Sequence, residues 1–333
     1  MKRILVFGLA LLLVACSGSR GGGVIDGGPD WLDGSSKRHP SVAYIIGVGS
    51  SASLDDAKNR ARAEIAKVFE VAVTEQSSDN LKYLSDANGA QLAQRIERDT
   101  TSRTSQILHG VEVADSWLHV QSGRFYALAV LHRGRTATAL RQQIEQLDKG
   151  TAIHIEKARA SKDSLDKLAQ ASSALSQQLQ RAGLQRSLQV VDNSGRGITP
   201  RWNLAELSSD LRAQLERVRI QPNLSQGPNA FQASLSGALG EAGFLVKKGE
   251  TPDFILTTRL VLSEPEYLQN WYWVRGRLEI MLSTPQGRIR GSQRWPIKVS
   301  ATQAEVAQKR ALDSAANILK SELRSSLLGF ARE

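Results

Sequence analysis

Cys16 is the only thiol in this 333-residue chain. It closes Leu13-Val14-Ala15-Cys16, behind Met1-Lys2-Arg3 and an apolar run from Ile4 to Val14. A charged start, a short apolar core and small residues before a cut are the marks of a secretory signal, and the run is too short to span a bilayer. A thiol at that place suits covalent acylation. A second group that could do chemistry lies near the other end, in Trp271-Tyr272-Trp273-Val274-Arg275-Gly276-Arg277-Leu278-Glu279. Side chains alternate across a strand, so Trp271, Trp273, Arg275 and Arg277 point one way while Val274, Leu278, Ile280 and Leu282 point the other. Neighbouring strands would add Arg259, Arg294 and Lys298 to the first face, with Glu279 as the nearby acid. Clustered guanidinium and indole groups give forked donors for acidic groups and flat apolar area to desolvate; the alternative is that a helical hairpin covers this face, with the indoles as packing and the cations as a solvated rim.

A third group is Gly47-Val48-Gly49-Ser50-Ser51-Ala52, which follows a strand, opens a helix and formally matches a dinucleotide fingerprint, with Glu75 near the position of a ribose-binding acid. The helical stripe runs on through Val68 and Ala72 where a second parallel strand should lie, so Gly47, Gly49 and Ala52 read better as a tight turn with close strand-to-helix packing. The five histidines, His39, His109, His119, His132 and His154, show no zinc-binding spacing. No Gly-x-Ser-x-Gly elbow occurs, and carboxylates gather in helix first turns. These patterns name no catalytic residue, metal or cofactor. The expectation is a non-enzymatic chain, and a dinucleotide-binding enzyme is the alternative from another class.

Leu13-Val14-Ala15-Cys16 resembles a bacterial lipobox. The resemblance implies that Cys16 carries fatty acyl chains, that cleavage falls just before it, and that the mature chain begins there. Ser17, standing where Asp would retain such a protein, implies transfer to the outer membrane, facing the periplasm. Acyl chains would then be the membrane anchor. With Cys16 acylated no disulfide can form, so packing alone holds the exported chain. The 43 basic and 33 acidic side chains give +10, and loss of Lys2 and Arg3 with the leader leaves 41 against 33, or +8. That balance favours anionic surroundings such as headgroups, cell-wall carboxylates or an acidic protein; export argues against nucleic acid.

The elements that must position these groups fall into an expected order: a signal peptide over 1–15, a lipidated cysteine and flexible tether over 16–40, an α+β domain over 41–133, a helical, coiled-coil-like spacer over 134–190, and a C-terminal α+β domain over 196–333. In the first domain Val42–Val48 reads as a strand. Ser53 with Asp56 forms a capping box opening a helix that carries Ala57, Ala61, Ile65, Val68 and Ala72 to about Glu75. A polar helix is expected across Leu81–Ser105, then a hairpin of Gly110–Val120 and Phe125–Leu131 around Ser122-Gly123. No aromatic residue occurs from Ala127 to Arg201. Leu140, Ile144, Leu147, Thr151, Leu165, Leu168, Leu175 and Leu179 keep a three-four spacing, as one helix or as a hairpin broken at Gly150 and Ser161-Lys162-Asp163; Lys149-Gly150 reads as a stop and favours the hairpin. In the last domain, helices over Asn203–Arg217 and Pro228–Ala242 flank a short strand over Val218–Gln221. Strands follow over Phe254–Leu262, Trp271–Leu282 and Ile289–Val299, the last pair turned by Pro285-Gln286-Gly287. Thr302-Gln303-Ala304-Glu305 is a capping box for a final helix with Leu312, Ala315, Leu319, Leu323 and Leu327 as its stripe. The fold class is α+β, two modules of antiparallel sheet with helices on one face, joined by a long helical spacer.

Pro29-Asp30-Trp31, Tyr44-Ile45-Ile46-Gly47-Val48-Gly49 and Ala57-Lys58-Asn59-Arg60-Ala61-Arg62-Ala63 together resemble the Lpp-twenty family of outer-membrane lipoproteins over about a third of the chain. This resemblance implies a non-catalytic envelope module, in some members linked to flagellar structures. The C-terminal unit is similar to the periplasmic modules of TolB-like proteins and of outer-membrane activators of cell-wall synthases. The expected function is an envelope assembly or scaffolding factor that docks a partner through the basic aromatic face, with peptidoglycan binding or synthase activation as the alternative. The expected partners are the membrane and an envelope protein or peptidoglycan; oligomeric state is not legible.

Overall fold

The computed structural model describes residues 27–81, 98, 110–246 and 251–331. Cys16, His109 and the helix expected across Leu81–Ser105, apart from Leu81 and residue 98, lie outside the described residues.

The first module builds on β1 (Tyr44–Ser51), β2 (Glu112–His119) and β3 (Arg124–His132), an antiparallel sheet of order β1-β3-β2. In β1, Ile45, Gly47, Gly49 and Ser51 are turned inward by strict alternation. Helix α1 (Leu54–Leu81) starts where the capping box expects it: the Ser53 hydroxyl accepts the Asp56 N–H at 3.1 Å. The helix extends past Glu75. Its buried stripe is Ala57, Ala61, Ile65 and Phe69; Val68, expected in the stripe, is 43% exposed because Phe69 takes the core position. The 3-10 turn Asp30–Asp33 covers part of the other sheet face. Trp31 lies on Leu128 and Val130, and its Nε1 donates to Asp115 Oδ2 at 2.9 Å. The tether expected to reach residue 40 is therefore ordered from this turn onward.

β3 runs straight into α2 (Arg133–Ala160), and a short turn leads to α3 (Ser164–Val191). The hairpin is confirmed, with its break at Ser161–Asp163 alone. Gly150 does not stop α2; the space a Cβ would take there is filled by the Gln177 side chain of α3, so the glycine serves close helix approach. Asp163 caps α3, accepting the Asp166 N–H at 2.9 Å, and also pairs with Arg290. Although burial pushes this carboxyl up, that partner and the cap hold it below the usual range. The helices join both cores. Leu140, Ile144, Leu184 and Leu188 pack with α1 and β3, whereas Leu165, Leu168, Leu175 and Leu179 belong to the second core. What reads in sequence as a spacer is a beam shared by two cores.

The second module contains α4 (Leu204–Leu215), β4 (Ile220–Gln226), α5 (Phe231–Glu241), β5 (Phe254–Leu262), β6 (Glu266–Leu268), β7 (Trp271–Ser283), β8 (Ile289–Ala301) and α6 (Ala304–Gly329). β4 lies parallel to β5 at one edge, and every other pairing is antiparallel: β7 receives β5 and β6 along one side and β8 along the other. Inward residues Leu256, Leu260, Val274, Leu278, Ile280 and Ile297 meet Leu235 and Leu239 of α5 and Ala307, Ala311, Ala315, Leu319 and Leu323 of α6. The capping box expected at Thr302 does not form. The helix begins one residue later than that spacing needs, with Gln303 as an N-cap lacking a side-chain bond. Accordingly Ala307 and Ala311 lead the stripe, and Leu312 is only partly buried.

The two modules share a local device. Arg60 of α1 donates back to the Ser50 carbonyl and Arg310 of α6 to the Ser300 carbonyl, each at 2.7 Å across ten residues. Ala57, Ala61, Ile65 and Phe69 correspond to Ala307, Ala311, Ala315 and Leu319, all fully buried. Spatial order β2-β3-β1 matches β5-β7-β8, with the helix following β1 in one and β8 in the other, so the modules are permuted versions of one sheet-and-helix plan.

Candidate functional site

All seven residues expected on the outer face of the second sheet stand there together. Strand pairing sets them in rows: Arg259 opposite Glu279 opposite Arg294, Val261 opposite Arg277 opposite Pro296, Arg275 opposite Lys298, and Trp273 between Glu266 and Ser300. Arg259, Arg275, Arg277, Arg294 and Lys298 are exposed, and Trp271 is 43% exposed. The helical hairpin, which could have covered this face, packs among the helices on the opposite side, where Leu165, Leu168 and Leu175 join the core.

Glu279 is the hub of the basic end. Arg277 Nε and Arg294 Nε each approach its Oε1 at 2.8 Å. Desolvation pushes its carboxyl up, but the hydrogen bond from Arg277 and the charges of Arg294, Arg277 and Arg259 hold it below the ordinary range. Arg259 donates to Gln226 Oε1 at 3.0 Å. Lys298 Nζ sits 5.1 Å from the ring centroid of Trp273, whose buried Nε1 has no partner.

Sequence patterning missed a second acid on this face. Glu266 of β6 pairs with Arg275 at 2.7 Å, so the face carries five cations against two carboxylates rather than one. β6 is short, and its turn to β7 uses Gln269 (φ 52) and Asn270 (φ 64), the two non-glycine residues with positive φ among those described. A two-residue turn with positive φ at both positions is usually signalled by glycine, so this one left little mark in the sequence. The turn exposes Leu268 and Trp271 at the apolar end of the face, while Tyr267 stacks on Tyr272 on the opposite side of the sheet.

In the first module, the glycines of the fingerprint have a packing role. A Cβ on Gly47 would strike the Ala61 carbonyl, and one on Gly49 the backbone of Ala57 and Ala61. β1 is antiparallel to its one neighbour, β3, whereas dinucleotide binding needs a parallel βαβ unit, so Gly47, Gly49 and Ala52 hold no pyrophosphate cradle. The module is thus β1-α1-β2-β3 with Trp31 seated on its outer face. Residues 29–132 match the LPP20 lipoprotein family. The LPP20 match takes in the Trp31 turn, the glycine-bearing strand and the β2–β3 hairpin.

No curated protein matches the chain. Among solved structures it is similar to the secreted protein HP1454 from Helicobacter pylori, with 13% identity over 83% of this chain and 96% of that one and a TM-score of 0.41. It is also similar to a minor lipoprotein from Acinetobacter baumannii (13% identity, 35% and 87% covered, TM-score 0.24) and to lipoprotein GNA1162 from Neisseria meningitidis (13%, 30% and 99%, 0.22).

Among the described residues no group of three or more His, Cys, Asp or Glu side chains is placed to hold a metal. His119 meets Ser122 at 2.6 Å, His154 meets Gln170 at 2.7 Å, and His132 caps α2. No helix among these residues is long and apolar enough to cross a membrane.

Proposed function

We propose that this chain is an outer-membrane lipoprotein, anchored through Cys16 and facing the periplasm, that serves an envelope structure as a non-enzymatic assembly or scaffolding factor. Its work is to dock an acidic partner on the outer face of the second sheet. One observation carries the reading: five exposed cations and two indoles share a sheet face that no described element covers, while the inner face of the same sheet is packed against α5 and α6. Such a face offers apolar area at the Trp271 end and charge at the Arg275–Arg277 end, the make-up of an interaction surface with a central aromatic anchor. The anchor would raise the effective concentration at the membrane, and the beam of α2 and α3 would hold the docking face at a fixed position relative to the LPP20 module. Peptidoglycan, whose carboxylates suit the same arginines, is the second occupant this chemistry admits.

A photo-reactive side chain placed at position 271 in intact cells tests the reading. A discrete envelope protein or cell-wall fragment captured there supports it, and capture no greater than from an exposed position on α6 such as Ser325 refutes it. Replacing Cys16 by Ser moves the protein from the membrane to the soluble fraction; persistence in the membrane fraction contradicts the anchor.

A further inference from the structure

The first sheet ends at β1, and that edge carries a set of unpaired backbone groups. The Ala43 carbonyl accepts the Arg133 N–H at 2.9 Å, which makes this pair, and every second pair after it, the hydrogen-bonded kind with β3. Ile45, Gly47, Gly49 and Ser51 therefore turn their backbone groups to β3, while Tyr44, Ile46, Val48 and Ser50 turn theirs to the open edge. Two of these are capped: the Tyr44 N–H donates to the Pro40 carbonyl at 3.0 Å, and the Ser50 carbonyl accepts from Arg60 at 2.7 Å. Among the described residues the rest have no partner, namely the N–H groups of Ile46, Val48 and Ser50 and the carbonyls of Tyr44, Ile46 and Val48. No charged residue or proline stands in Tyr44–Ser51 to keep another strand away.

The second module shows that a bare edge is not inherent in the shared plan. Its matching strand, β8, aligns with β1 through the arginine brace, Ser300 with Arg310 against Ser50 with Arg60. On that alignment Arg294, Pro296 and Lys298 take the places of Tyr44, Ile46 and Val48. A proline without an N–H and two cations are the common guards of a sheet edge, and β1 has none of them. The open groups of β1 also complement themselves. Turned end for end about Gly47, the strand sets Ile46 against Val48, and Tyr44 against Ser50, of a second copy. The three donors of each copy then meet the three acceptors of the other in six hydrogen bonds, and the two capped groups, the Tyr44 N–H and the Ser50 carbonyl, fall opposite each other. An unrelated strand would have no reason to match both the capped ends and the span between them. Helix α1 seats its core stripe with Ala127 and Ala129 of β3 as well as on the β1 glycines, so it lies over the pair of strands.

We propose that β1 pairs antiparallel with β1 of a second copy of this chain, about a two-fold axis at Gly47, joining the two first modules into one six-stranded sheet. The test uses the full chain carrying Cys16→Ser, so that neither the anchor nor the native thiol plays a part. Sedimentation equilibrium is expected to give twice the mass of one chain. Two edge variants, each checked for native circular dichroism, weaken the dimer by about tenfold or more: Ile46→Pro removes an edge-facing N–H while leaving the β3 ladder intact, and Val48→Lys copies Lys298 of β8. Register is read separately by oxidising a mixture of Ile46→Cys and Val48→Cys chains. The two Cα atoms would lie about 5.5 Å apart across the axis, within disulfide reach, so the mixture forms a covalent dimer and either chain alone does so poorly. This trap leaves the edge backbone unaltered and decides the matter if both edge variants lose their fold. A single-chain mass throughout, undiminished association in both folded variants, or a mixture that bridges no better than the separate chains overturns the proposal.

Discussion

Arg181→Ala lowers the unfolding free energy by about 3 kcal/mol, because it strips a buried charge from the beam that unites the two cores. The Arg181 side chain is 2% exposed. Its Nε donates to Asp148 Oδ1 at 3.1 Å and its Nη2 to the Ile198 carbonyl at 3.0 Å, so it ties α3 to α2 and to the irregular segment that follows α3. Gln178 joins the network, donating to Asp148 at 3.0 Å and to the buried Thr151 hydroxyl at 2.8 Å. Removal of the guanidinium leaves Asp148 with Gln178 and partial access to water, at 24% exposure, which places the loss at the lower end of that for broken buried pairs. Replacing both residues, Arg181→Met with Asp148→Leu, recovers most of it, since apolar substitution of a whole buried pair is close to neutral. Denaturant melts of the wild type, the single variant and the double variant check this; a single-variant loss under about 1 kcal/mol, the size of a solvated pair, contradicts the role of the network.

Legibility in the sequence followed periodicity. The strands of the first module, β5, β7 and β8 of the second, the start of α1 and the inward and outward split of β7 follow from period-two and three-four spacing, which local sterics enforce, whereas β6 was not foreseen and β4, expected over Val218–Gln221, runs over Ile220–Gln226. The outer-face arginines could be named for the same reason: once Val274, Leu278 and Ile280 are assigned to the core, Arg275 and Arg277 have one place to go. Readings failed where a residue answers to tertiary partners. Gly150 looks like a helix stop until Gln177 is seen filling its side-chain space. Thr302 looks like a cap until the helix is seen to start beyond its reach. Glu266 could not be placed on the face because its hairpin turn contains no glycine. A cavity between the segment leading into β1, the start of β2 and the β3–α2 junction left no sequence signal, since its walls come from three separate stretches of chain.

Charge reversal of Arg275 and Arg277 together to Glu abolishes docking, with at least a hundredfold loss of capture and little change in melting temperature. Four units of charge are exchanged at a face whose cations outnumber its acids by five to two, and the reversed side chains then repel Glu266 and Glu279 as well as an acidic partner. Fold stability is spared because both arginines are about half exposed, at 50% and 47%, and their ion pairs are of the solvated kind that contribute about 1 kcal/mol or less. The inward neighbours Val274 and Leu278 are untouched. The most direct test is crosslink yield from position 271 in intact cells, compared between the native face and Arg275→Glu/Arg277→Glu at matched protein level. Docking through this face predicts a discrete captured species that disappears in the reversed protein; an undiminished yield contradicts it.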